Sequence, residues 1–123
     1  MMNKHILLVD DDTPFRSSVK DILELEGYQV TDVQDGVYAL PLINEPFDLV
    51  ITDILMPETD GNQLAAAIRS QKPDLPIIGM TGGGRSFDPD RVKSICLPKL
   101  FTIILSKPFL AEELVEEVQK VIG

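Results

Sequence analysis

Four short apolar runs mark out this chain, and each gives way to a polar side chain. Residues 6–9 (Ile-Leu-Leu-Val) lead into Asp10, Asp11 and Asp12. Residues 49–52 lead into Asp53, 77–80 into Thr81, and 103–106 into Lys107. Continuous runs of this length are the pattern of strands buried on both faces of a parallel sheet. A more mixed stretch, 28–33, reads as a further strand near an edge. The predicted strands are therefore 6–9, 28–33, 48–52, 76–80 and 102–105.

Between them the period lengthens to that of a helix. Phe15, Val19, Ile22 and Leu23 recur at helical spacing. Thr13 is placed to cap that helix ahead of Pro14, and Gly27 to end it. A weak helix is expected over 36–43, kinked or shortened by Pro41, which has no backbone donor. Residues 61–70 form the next helix, with Leu64, Ala67 and Ile68 facing inward. Another starts at Asp88 and Pro89, with Val92, Ile95 and Cys96 on its apolar side. The last carries Leu110, Leu114, Val115, Val118, Val121 and Ile122 on one face and acids on the other.

Strands alternating with helices predict an α/β domain with a doubly wound five-stranded parallel sheet, flavodoxin-like order 2-1-3-4-5, and five helices. The 123 residues fit one domain spanning 1–123. No apolar run is long enough for a membrane helix, and the start lacks the regions of a signal peptide. Cys96 is the only cysteine, so no internal disulfide can form, and a cytoplasmic setting is expected. Eleven basic against 20 acidic residues give a net charge of −9. That argues against direct nucleic-acid binding and suits a divalent cation or a basic partner.

In open α/β sheets ligands bind at the carboxyl ends of the strands, so the four terminating side chains are expected to converge. Three adjacent carboxylates repel one another unless a cation or protons relieve them. Mg²⁺ takes oxygen ligands, often one or two carboxylates plus water. Asp10 and Asp11 would supply these, leaving Asp12 near the helix start. Asp53 would complete an acidic pocket and can act as a nucleophile, forming an acyl phosphate. Thr81 offers a hydroxyl to a phosphoryl oxygen, and Gly82 lets backbone and phosphate approach closely. Lys107 offers a point charge. Each has a plainer reading alone: a cap, a turn aspartate, a strand end, a loop lysine. His5 reads as a surface residue with no partner, and Cys96 as a small buried hydrophobe.

Taken together, Val9-Asp10-Asp11, Asp53 to Gly61, Thr81-Gly82 and Lys107-Pro108-Phe109 resemble the motifs of the response-regulator receiver domains of two-component signalling. The order and intervals are similar over essentially the whole chain. The resemblance implies Asp53 as phospho-acceptor, and Asp10, Asp11, Asp53 and the Leu55 carbonyl around Mg²⁺. It further implies phosphate contacts from the backbone of Leu55 and Gly82, Thr81 as a switch hydroxyl, and Lys107 as the phosphate's counter-charge. The donor would be a histidine kinase or histidine phosphotransfer protein. The output would be a switch in binding to a downstream protein, with a second copy of the chain as a further candidate partner. Such a domain is a signalling switch rather than an enzyme, catalysing only its own phosphotransfer and dephosphorylation.

The chain departs from that pattern in places. The switch position three before Lys107 is Ile104, where such domains usually carry Tyr or Phe; a β-branched residue predicts altered coupling to the output face. Residues 97–101 place apolar bulk before the fifth strand, as a docking patch or as core. Pro41 interrupts the second helix, and three glycines follow Thr81. A flavin carrier fits poorly, because an acidic loop repels phosphate. A haloacid-dehalogenase-type phosphatase requires Thr where Pro14 stands. The main alternative is a receiver-like interaction module acting without phosphorylation.

Overall fold

The computed structural model describes residues 3–54, 61–81 and 100–123. Five strands form one parallel sheet: β1 His5–Val9, β2 Gln29–Val33, β3 Leu49–Asp53, β4 Ile77–Thr81 and β5 Ile103–Ser106. Their order is β2-β1-β3-β4-β5, the expected doubly wound arrangement. Register pairs Val9 with Val33 and Thr52, Asp53 with Met80, and Thr81 with Ser106. Four α-helices lie among the described residues: α1 Thr13–Leu25, α2 Gly36–Ala39, α3 Gly61–Gln71 and α4 Ala111–Ile122. The helix expected from Asp88, with Cys96, lies outside them.

Every residue of β3 and β4 is buried, as the uninterrupted apolar runs require. Alternate side chains serve two cores. Leu7, Val9, Val50, Ile54 and Ile77 meet Leu64, Ala65 and Ile68 of α3 on one face. Ile6, Leu8, Leu49, Ile51, Ile78 and Met80 meet Val19, Leu23, Leu114 and Val118 of α1 and α4 on the other.

α1 closes as its sequence indicates. Gly27 takes φ 96°, and the amides of Gly27 and Tyr28 donate to the carbonyls of Glu24 and Leu23. This paired C-terminal motif needs a left-handed residue, which glycine adopts without Cβ strain. α2 runs for one turn before Pro41 converts it to a 3₁₀ turn, Leu40–Leu42, consistent with the lost donor.

Three expectations need correction. The cap of α1 is Asp12, whose extended backbone lets its carboxylate accept from the Phe15 amide at 3.2 Å; Thr13 is the first helical residue. Leu110 is the residue before α4 and is 65% exposed, so the inward stripe begins at Leu114. His5 is half-buried and partnered: Nε2 lies 2.7 Å from the Thr31 hydroxyl, and its ring meets Phe47 at 4.5 Å between centroids.

Within the described part of 97–101, Phe101 is buried and Leu100 packs on the same core. A Cβ on Gly79 would fall 2.8 Å from Phe101 Cδ1 and 2.9 Å from Ile54 Cδ1. The bare backbone of β4 thus makes room for Phe101, and core packing is the role of these two residues.

Candidate functional site

Parallel strands put all their carboxyl ends at one edge. Asp10 follows β1, Asp53 ends β3, Thr81 ends β4 and Lys107 follows β5. The sequence-predicted residues therefore come together there. Leu55 and Gly82, expected to supply backbone contacts, lie outside the described residues.

Lys107 ties the cluster. Its Nζ lies 2.9 Å from Asp10 Oδ2 and 3.5 Å from Asp53 Oδ2. Its backbone amide donates to the Thr81 carbonyl at 2.9 Å, which fixes the start of the loop against β4. The Lys107-Pro108 peptide is cis. Asp10 is fully buried, Asp53 nearly so, and Asp11 is exposed.

One carboxylate oxygen from each of Asp10, Asp11 and Asp53 lies within 4.8 Å of the others. Asp53 Oδ1 is buried without a hydrogen-bond partner among the described residues. Burial pushes the Asp53 carboxyl up to about 6; Lys107 pulls it down, and Asp10 and Asp11 push it further up. Three hard oxygen donors, one of them buried and without a partner among the described residues, form a donor set that fits a small divalent cation.

Thr81 is buried, but its hydroxyl turns toward β5, donating to the Leu105 carbonyl at 3.4 Å. Ile104 is half-buried in β5, opposite Gly79, and packs on the core that holds Phe101.

Sequence reading missed two residues. Arg16 bonds the Asp10 carbonyl at 2.6 Å through Nη1 and Asp32 Oδ2 at 2.9 Å through Nε, tying the acidic loop to β2. Phe15, read only as core, places its ring 4.1 Å from Lys107 Nζ. A basic residue one turn beyond an acidic triplet was a visible signal for Arg16. Helical spacing gave none for the second role of Phe15.

This sheet order, with charged side chains gathered at its carboxyl edge, defines a flavodoxin-like α/β domain. The family model described as the response regulator receiver domain matches residues 6–119, and the chain belongs to that family. The response regulator receiver protein CpdR of Brucella abortus is 40% identical over 121 residues, covering 97% of this chain and 97% of that protein. The transcriptional regulatory protein CpxR of Escherichia coli K12 is 38% identical over 98% of this chain, which spans 50% of CpxR. The structure of the response regulator TrrA from Thermotoga maritima, in complex with Mg(2+)-BeF, superposes with a TM-score of 0.84 at 34% identity, covering 96% of this chain and 98% of that one. Receiver domains are phosphorylation-dependent signalling switches rather than classical enzymes. No helix among the described residues is long and apolar enough to cross a membrane.

Proposed function

We propose that residues 1–123 form one receiver domain that accepts a phosphoryl group on Asp53 from the phosphohistidine of a histidine kinase or histidine phosphotransfer protein. The observation that carries this is the state of Asp53: Oδ1 is buried with no hydrogen-bond partner among the described residues, while Oδ2 faces Lys107. A carboxylate so held is desolvated yet close to a cation that can follow developing negative charge.

In the transfer, the P–N bond of the donor breaks as a P–O bond forms at Asp53. The imidazole nitrogen keeps the electron pair of the broken bond. Phosphoryl transfer of this kind depends on positioning and charge neutralisation. Asp10, Asp11, Asp53 and the Leu55 carbonyl would hold Mg²⁺, which when bound supplies charge neutralisation at the phosphoryl oxygens. The Mg(2+)-BeF complex of TrrA supports that choice of ion. Lys107 leaves Asp10 to pair with the phosphoryl group. By the family resemblance, the backbone of Leu55 and Gly82, which lie outside the described residues, would add further contacts to it. The Thr81 hydroxyl, held to Leu105 only by a long bond, turns to donate to it.

The expected result is a mass gain of one phosphoryl group when the protein meets Mg²⁺ and a small phosphodonor, read by intact mass spectrometry. Asp53→Asn abolishes the gain. No gain in the parent, or an unchanged gain in the variant, refutes the proposal; the former outcome points to an interaction module acting without phosphorylation.

The output is a change in affinity for a downstream protein or for a second copy of the chain, in the cytoplasm. The net charge of −9 disfavours direct nucleic-acid contact. At the switch position Ile104 offers few rotamers and no hydroxyl, so its coupling to the output face is weaker than an aromatic would give. Ile104→Tyr is expected to increase the ratio of partner affinities with and without phosphate. An identical ratio in parent and variant would remove this role.

A further inference from the structure

The edge of the sheet contains a closed circuit that the phosphate chemistry alone does not require. Asp10 Oδ1 accepts from the Asp12 amide at 2.9 Å. Asp12 Oδ1 accepts from the Phe15 amide at 3.2 Å. The Phe15 ring lies 4.1 Å from Lys107 Nζ. Lys107 Nζ returns to Asp10 Oδ2 at 2.9 Å. The Phe15 ring is itself braced by Phe109, edge-on at 5.7 Å and 75°, two residues beyond Lys107. The third aspartate of the triplet thus fixes the backbone of Phe15, and Phe109 fixes its ring.

We infer that Phe15 is a positioning residue for Lys107, its ring face holding the ammonium over the gap between Asp10 and Asp53. An ammonium has three donors. Two point to carboxylates at 2.9 and 3.5 Å, and the π face attracts the remaining charge. A hydrogen bond is directional, whereas attraction to a ring face tolerates lateral shifts. The ring therefore keeps its hold while Lys107 swings from Asp10 toward a group on Asp53. It also covers the ammonium with apolar surface, so the ion pairs act in a drier setting. The functional part of this inference rests on the phospho-acceptor reading; the positional part does not.

Phe15→Leu keeps apolar bulk and removes the π face, and Phe15→Tyr keeps both. In the unphosphorylated protein the Lys107 ε-methylene protons are expected to carry an upfield ring-current shift in the parent and the Tyr variant, lost in the Leu variant, by NMR. Initial phosphoryl incorporation from a small donor with Mg²⁺ is expected to slow roughly two- to fivefold in the Leu variant. The Tyr variant restores it. A Lys107 shift unchanged by Phe15→Leu, or equal incorporation rates in parent and Leu variant, overturns the inference. If the parent accepts no phosphoryl group, the phospho-acceptor proposal fails, and the NMR comparison decides the position of Lys107 by itself.

Discussion

Asp53→Asn is expected to stabilise the domain near neutral pH by about 3 kcal/mol in the presence of a chelator. The Asp53 carboxyl rises from 3.8 to about 6, chiefly through burial. Between those values the native state binds more protons here than the unfolded chain does. Stability from this group therefore falls as pH rises through that window, and above about 6 the whole penalty is present. Asparagine removes the ionisation and with it the penalty, while Lys107 keeps Asp10 as its partner at 2.9 Å. The thermal midpoint should rise by roughly 10 °C near neutral pH. Below about pH 4 the gain should vanish, because the parent carboxyl is protonated in both states. Mg²⁺ should narrow the gap at neutral pH, since a divalent cation relieves the same penalty in the parent alone. Equal midpoints near neutral pH, or a gain that persists under acid, would show that the buried carboxylate does not strain the fold.

The main parts of the site were readable because the sheet is parallel and covered on both faces. Both faces being buried makes residues 6–9, 49–51 and 77–80 continuously apolar, so the polar residues that follow, Asp10, Thr52 with Asp53, and Thr81, stand out. Parallel direction then sends Asp10, Asp53, Thr81 and Lys107 to one edge. Pro41 likewise announced the break after α2, because a missing donor acts locally.

The misreadings arise where neighbours in sequence compete or where tertiary contacts decide. Asp12 and Thr13 can both cap a helix; only the extended backbone of Asp12, φ −82° and ψ 101°, selects it. Leu110 fits the period of α4 but precedes its first turn, where the stripe has already left the core. His5 finds Thr31 and Phe47, residues that only the β1–β2 pairing and the turn before β3 bring near. Phe15 satisfies a helical period and also faces Lys107. A period reports which side a residue faces, not what charge waits there.

Lys107→Met should have the opposite sign from Asp53→Asn, costing about 3 kcal/mol near neutral pH. Methionine keeps an unbranched apolar stem and a sulfur that suits the Phe15 ring, so the change is chiefly the loss of charge. The Lys107 side chain is 15% exposed and Asp10 0%, so solvent does little to replace the ammonium. Asp10 would retain the Asp12 amide as a donor, and Asp53 would lose the influence that most lowers its pKa. Two buried carboxylates would then face each other with their counter-charge gone. Denaturation with chelator present reads the loss, which should shrink as acid protonates Asp53. The double variant separates this account from simple misfolding. With Asp53 already neutral, removing Lys107 should cost clearly less than it does in the parent, giving a coupling energy of order 1–3 kcal/mol. Additive effects would mean that the 3.5 Å approach of Lys107 to Asp53 carries no energy.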